Sequence, residues 1–456
     1  MARGNPVIRR STALGVAVLA LVATACPKDR ATSTVSPPAS SVPSSPPSAI
    51  ALGSIPKVRS GGAPTAAAAM RKLCVPPTVT RTPPPPVTPT PPQIAQVERE
   101  VEQQRGLRYV RPVAVQEVTD AQIDRKLAAA FAATYPVAYY ARRSAAWGTI
   151  GVIPPGTDLR AAIKAFESGQ VVGFYDPDAQ RLVFVGSGDA TLSVDERFTL
   201  AHELTHALDD QHFDLRRLDA IAATCRDERF DAALGAVEGN AQYTAAEVLL
   251  HTPGGLNLGD LIGSLVSSGA RQTPGVPPFL SSLEYWPYTT GLAFMESQAA
   301  AGGEAAVDRV LRHLPVTTEQ VMHPDAYPSD LPTPVDVPDL TPALGASWGD
   351  LDAMQVGEEW LHAMLALRLD DETASSSTDG WDGGVYRAWT NGSSVAVVLA
   401  TVWDTQADAE AFAGAMQTWI ADGGSLARVR RDGDRVTVGF ASDAPTLERL
   451  ARALSG

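Results

Sequence analysis

The sequence predicts an α+β fold, mainly helical, for the body of the chain. Three observations carry that expectation. Apolar residues recur at helical spacing, as at Ile94, Val97 and Val101, the pattern of an amphipathic helix. Residues 171–175 and 182–185 are short runs of Val, Leu, Phe and Tyr around Pro177-Asp178-Ala179-Gln180, the pattern of a hairpin. Beyond Pro342 strand and helix patterns alternate, so a small α+β unit closes the chain. The 456 residues allow two to four domains, at roughly 100–200 residues each.

Residues 1–25 read as a signal peptide. Arg3, Arg9 and Arg10 make a basic start, and an apolar stretch over 12–25 follows. The stretch ends in Ala23-Thr24-Ala25-Cys26. Small residues before a Cys resemble the bacterial lipoprotein signal, which implies cleavage before Cys26 and lipidation of its thiol. The mature chain is then anchored at the outer face of the bacterial cytoplasmic membrane. Without lipidation of Cys26 it is secreted. No apolar run reaches the ~20 residues of a spanning helix. Residues 26–93 hold seventeen of the 36 prolines and read as a disordered Pro/Ser/Thr-rich tether. Cys74 lies within it. Cys74 and Cys225 are the thiols that remain after Cys26, and outside the cytoplasm they either pair or stay free. The net charge of −14 argues against a nucleic-acid partner, whose binding rests on Lys and Arg meeting phosphates.

Residues 94–340 are expected to hold the catalytic body. A first helix stops at Gly106, and a second covers 120–134, after Thr119 and before Pro136. A third covers 158–168, ahead of the hairpin. Ser193 stands three residues before Glu196, a capping box that starts a helix running to about Asp210. Another helix covers about 230–250, with an Ala/Gly-rich middle that permits close packing. Residues 341–456 form the closing unit. There, helices are expected near 356–369, 407–420 and 446–454, a strand at 394–403, and a strand pair over 428–440 turning at Asp432-Gly433. That unit contains His362 and no readable chemistry.

His202-Glu203-Leu204-Thr205-His206 lies on the capped helix. Histidines at i and i+4 project from one face and can hold one metal ion. Glu203, one residue after the first His, can reach a water on that ion without being a ligand. This is the HExxH pattern of zinc metallopeptidases. Three of the seven histidines, His202, His206 and His212, fall within eleven residues. A catalytic zinc needs a third protein ligand and an open fourth position. Glu238 is the strongest candidate. It sits in an Ala/Gly-rich helix where an unpaired charge is costly. Gly235 and Gly239 beside it let another backbone approach.

A Glu donated by a second helix is the gluzincin arrangement, found in thermolysin-like enzymes. The resemblance extends to a group of uncharacterised bacterial secreted or lipid-anchored HExxH proteins. It is carried by residues 199–208, by Asp210-Gln211-His212-Phe213-Asp214-Leu215 and by Gly173-Phe174-Tyr175-Asp176. Glu238-Gly239, Ala241, Pro287-Tyr288-Thr289-Thr290-Gly291 and residues 318–324 add to it. It covers roughly residues 94–403 and implies a zincin-like fold and a zinc-dependent peptidase. Asn240 departs from it, since Glu-Gly-Asp-Ala is expected there. Gly380-Trp381-Asp382-Gly383-Gly384 departs too, in place of Gly-Trp-Gly-Gly-Asp.

On this reading His202, His206 and Glu238 bind Zn²⁺, which lowers the pKa of its water toward ~7. Glu203 takes that water's proton and passes it to the leaving amine. Tyr288 or His323 helps zinc polarise the substrate carbonyl, with Tyr285 a poorer candidate. Asp210, one turn after His206, orients a ligand His from behind, and the hairpin pairs with an extended peptide or protein substrate. The alternative is a binding or scaffold lipoprotein that keeps the fold and cleaves nothing. A hydrolase of a non-protein amide, such as a cell-wall peptide bridge, would use the same chemistry.

Overall fold

The structure, a computed structural model, describes residues 62–76, 90–134, 136–168, 173–185, 192–251 and 275–455. The expected signal peptide, Cys26 and most of the tether lie outside the described residues. Helices α1 (Ala66–Leu73) and α2 (Pro92–Arg105) come first, then β1 (Ala114–Val118), α3 (Asp120–Thr134), α4 (Val137–Ile150) and α5 (Leu159–Ser168). The hairpin β2 (Gly173–Asp176) and β3 (Arg181–Val185) leads into α6 (Val194–Phe213), α7 (Arg217–Ala222) and α8 (Asp227–Leu250). Next come α9 (Pro278–Arg312), α10 (Thr318–Met322), α11 (Thr341–Leu344), β4 (Gly349–Gln355), α12 (Glu358–Leu365) and α13 (Asp371–Ser376). The chain ends with β5 (Trp381–Thr390), β6 (Val395–Trp403), α14 (Gln406–Gly423), β7 (Ala427–Asp432), β8 (Arg435–Ala441) and α15 (Ala444–Ser455). The fold is α+β.

Two sheets organise it. The smaller has the order β1-β3-β2, with β1 parallel and β2 antiparallel to β3. The larger is antiparallel, in the order β4-β5-β6-β8-β7. Strand β6 is buried along most of its length, which is why its sequence reads as an unbroken apolar run. Edge strand β7 instead carries Arg428, Arg430 and Arg431, and most of its residues are exposed. Charges on an edge discourage pairing with another chain.

The expected boundary at 340/341 does not divide the core. Trp147 of α4, Phe279 of α9 and Trp360 of α12 stack edge to face, with centroids 5.2 Å apart at each step. They belong to one buried cluster that also holds Leu351, Leu399, Phe412 and Trp419. The closing sheet and the helical body therefore share a core. The tether expectation also fails over 62–76. Helix α1 is capped by Thr65 and docks on the large sheet. Ala63 N–H donates to Asp350 at 2.9 Å, and Ala66 N–H donates to Asp336 at 2.7 Å. Cys74 and Cys225 form a disulfide, with Cα atoms 5.7 Å apart.

Helix α9 is the longest element and its sequence conceals it. Pro287 lies inside it, and a kink at Gly302-Gly303 interrupts it. Both are breakers in a sequence reading. Strands β4 and β5 are hidden in the same way by Asp350, Asp352, Gly383 and Gly384. The two aspartates are buried and paired: Asp350 with Arg387 at 2.6 Å, Asp352 with Arg143 at 3.1 Å. Those partners are remote in the sequence.

Helix α8 meets α9 at a glycine seam. A Cβ on Gly239 would overlap the Gly291 carbonyl, and a Cβ on Gly291 would overlap the Gly235 carbonyl. Backbone cannot yield as a flexible side chain can. Gly239→Ala should therefore cost about 1–3 kcal/mol in urea unfolding. Gly414, in the exposed middle of α14 with nothing near its Cβ position, is the control. There Ala should add about 0.5–1 kcal/mol.

Candidate metal centre

Helix α6 begins as its sequence requires. Ser193 Oγ accepts from Glu196 N–H at 3.2 Å, and Glu196 accepts from Ser193 N–H at 2.8 Å. The start fixes the phase of the helix, so His202, Glu203 and His206 fall on its buried side, each wholly inaccessible. Helix α8 crosses α6 and brings Glu238 to the same point. His202 Nε2 lies 3.1 Å from Glu238 Oε2 and 2.9 Å from His206 Nε2. His206 Nε2 lies 3.4 Å from Glu238 Oε2. Three ligand atoms bound to one tetrahedral ion at ~2.0–2.1 Å would stand about 3.3 Å apart. Among the described residues, His202, His206 and Glu238 are the group whose ligand atoms converge in this way.

The neighbouring hydrogen bonds suit a cation. His202 Nδ1–H donates to Gln242 Oε1 at 3.0 Å, which leaves the Nε2 lone pair aimed at Glu238 and His206. Gln242 lies one turn after Glu238 on α8, a spacing legible in the sequence but not read there. Glu203 Oε2 accepts from Tyr175 N–H of β2 at 2.6 Å. Its Oε1 and the Oε1 of Glu238 are buried without a hydrogen-bond partner among the described residues. Two facing imidazole nitrogens and two orphaned carboxylate oxygens are costly as they stand. A divalent ion with one water offers partners to all of them, so the residues present fit a zinc site.

The electrostatics agree. Burial pushes His202 down to about 4, against the pull of Glu238. Burial also opposes the charged form of His206, but the carboxylates of Glu238, Glu203 and Asp209 outweigh it and raise that imidazole. Burial acts on Glu238 too, yet the paired His206 and His202 hold its carboxyl down at about 2. Glu203, lacking such a partner, is pushed up to about 8 by burial. One carboxylate stays ionised beside the ligands while the other readily takes a proton.

Several expected site residues stand elsewhere. Asp210 does not touch a ligand His; it accepts from Tyr175 O–H at 2.9 Å and Leu215 N–H at 3.1 Å. It tethers the hairpin to α6. The residue before it, Asp209, acts on His206 through its charge and accepts from Asn240 Nδ2 at 2.6 Å. That bond explains the unexpected Asn240, because an Asp would set a second carboxylate against Asp209. Arg105 completes the network, 3.7 Å from Asp209 and paired with Glu304 and Asp308. His323 pairs with Glu358 at 2.9 Å and has no contact with the cluster. His212 is exposed and donates to the Arg108 carbonyl at 2.8 Å. Tyr285 is buried against Phe166. Tyr288 stays near, its ring centroid 6.2 Å from that of His202. The hairpin edge expected to receive substrate is turned onto α6, with Tyr175 N–H committed to Glu203.

A cavity of about 290 Å³ reaches the cluster at Glu238 and Tyr288. Its walls come from α4, α5, α8, α9 and α12.

The family described as Domain of unknown function (DUF8575) matches residues 344–451. The match spans β4 to α15 and includes none of His202, Glu203, His206 or Glu238. No curated protein and no solved structure matches the chain.

Two outcomes follow from this geometry. Gln242→Ala removes the acceptor that sets the His202 tautomer, and zinc affinity in a chelator competition should fall about 10–100-fold with the fold intact. His323 is held up at about 9 by its hydrogen bond to Glu358, above the ~6.5 of an unfolded His. Its stabilisation is full below ~6.5 and is lost as pH rises toward 9. The side chain is 41% exposed, so the effect is small. His323→Gln should flatten the fall in melting temperature between pH 6.5 and 9.

Proposed function

We propose that this chain is an exported, zinc-dependent peptidase with a zincin-like fold of gluzincin type. It is tethered through lipid at Cys26 to the outer face of the bacterial cytoplasmic membrane, or secreted where Cys26 is unmodified. The reading rests on one observation above all. The HExxH histidines and Glu238 bring three ligand atoms to one point, and the adjacent Glu203 keeps one oxygen without a partner.

His202, His206 and Glu238 would hold the ion, and zinc there supplies Lewis acidity toward water and the scissile carbonyl. Glu203 is anchored through Oε2 by Tyr175 N–H, which leaves Oε1 to accept the water's proton. A carboxyl that protonates this readily can return the proton to the leaving amine. Tyr288 would donate to a carbonyl oxygen, a role supported by its ring beside His202 and its position in the cavity wall. The substrate is a peptide or protein.

One observation favours a second reading, a binding or scaffold lipoprotein that keeps a metal. The ligands and Glu203 are wholly buried, as in a structural site. The two readings part on a pair of variants. The purified protein should carry about one zinc, and His206→Ala should lose it. Glu203→Gln should keep zinc yet cut hydrolysis of a denatured protein mixture by at least about 100-fold. Undiminished cleavage by Glu203→Gln sinks the mechanism. Bound zinc without any cleavage by the parent protein selects the binding reading.

A further inference from the structure

The cavity beside the ligand cluster has a charge pattern that metal binding does not use. One face of α8 lines it through Asp227, Asp231, Leu234 and Glu238; Leu280, Glu284 and Pro287 of α9 face them. Glu359 of α12 lies on the same wall. Asp227 is neutralised by Arg143 at 2.9 Å. The carboxylates of Asp231, Glu284 and Glu359 have no hydrogen bond or ion pair among the described residues. Glu359 is only 6% exposed. Burial raises its carboxyl, and Glu358, Asp231 and Glu228 raise it further. Arg226, the residue before α8, also lines the cavity.

Glu359 is buried, Glu284 half-buried and Asp231 exposed, and an unpaired carboxylate as deep as that of Glu359 is costly. An incoming cation relieves that cost, whereas a neutral group leaves it in place. A metal ion does not fit. Among the described residues, no group of three such ligand atoms other than that of His202, His206 and Glu238 converges within 4.8 Å. Separated carboxylates suit a larger organic cation. The rest of the wall is apolar and aromatic, with Tyr139, Tyr140, Trp147, Trp286, Tyr288 and Trp360. Such a wall suits an apolar stem ending in a charge, and its rings add cation–π attraction. Asp231 lies two helical turns from Glu238, about 10 Å along α8. That is the span between a bond held at the metal and the end of a long side chain beside it.

We propose that this cavity is a specificity pocket for a Lys or Arg side chain of the peptide cleaved at the metal centre. The inference rests on the peptidase reading, and its test has two arms. In the first, benzamidine and its neutral analogue benzamide are titrated into the zinc-loaded full chain. Benzamidine should bind at least tenfold more tightly, and Asp231→Asn/Glu359→Gln should reduce the ratio to within twofold. Glu284→Gln, on a different helix, should also lower it; melting and zinc content check that each variant is folded. Equal affinities in the parent protein overturn the pocket, as does a ratio that persists in folded variants. In the second arm a peptide library is digested and the cleaved bonds are read by mass spectrometry. Lys or Arg should dominate one position next to the cleaved bond. The double variant should lose at least tenfold more kcat/KM on a Lys peptide than on its norleucine counterpart. Cleavage without a basic preference overturns the inference and spares the peptidase. Benzamidine selectivity without cleavage of any peptide keeps a cation pocket, and the peptidase reading then falls.

Discussion

The contact of α8 with α9 at Gly235, Gly239 and Gly291 is the constraint from which the rest follows. With backbone against backbone, α8 has little freedom to slide or turn. Several polar contacts of the interior hang from that helix. Glu228 accepts from Thr318 N–H and Oγ1–H at 2.5 and 3.0 Å, which fixes the start of α10. Asp227 holds Arg143, and through it Asp352 of the large sheet. Glu238 then reaches His202 and His206, Gln242 reaches the far side of His202, and Asn240 reaches Asp209. A triangle of ligand atoms 2.9–3.4 Å on a side tolerates an error of only a few tenths of an ångström, and glycine is what allows that precision.

The opposite shifts of the two histidines are one effect. Glu203 and Glu238 bring two acidic groups into a dry interior, and Asp209 adds a third that Arg105 balances. An interior of that kind demands positive charge. The carboxylates around His206 favour a proton on that imidazole rather than on His202. His202 is committed to Gln242 on its far side and stays neutral. A divalent ion at the same point would supply more charge than a proton does, and its uptake would then compete with protonation of the ligands.

What the sequence disclosed, and what it did not, divides along local and non-local lines. The capping box at Ser193, the face shared by His202 and His206, and the glycines beside Glu238 depend on spacing along one helix, and all could be read. Asp210 meets no ligand His, and helical phase alone cannot say which of two adjacent aspartates meets which partner. Arg105 and Asn240, distant in the chain, decide it for Asp209; Tyr175 claims Asp210. His323 was a plausible donor by type, but Glu358 claims it across 35 residues. The undivided core was hidden as well, since Trp147, Phe279 and Trp360 lie far apart in the chain. Helix α9 was concealed by Pro287, whose ring is tolerated there because α9 is supported by its neighbours.

The disulfide braces one wall of the cavity. Cys225 lies between α7 and α8, one residue before the N-cap Arg226, and both Cys225 and Val75 line the cavity. The bond from Cys225 to Cys74 closes a separation of 151 residues. It fixes the C-terminal end of α1 to the wall that carries Arg226 and Asp227. Disulfides persist in oxidising surroundings. Helix α1 is held at its other end by Asp336, Asp350 and Arg387. The segment from Ala63 to Cys74 is thus braced against the large sheet at one end and against the cavity wall at the other.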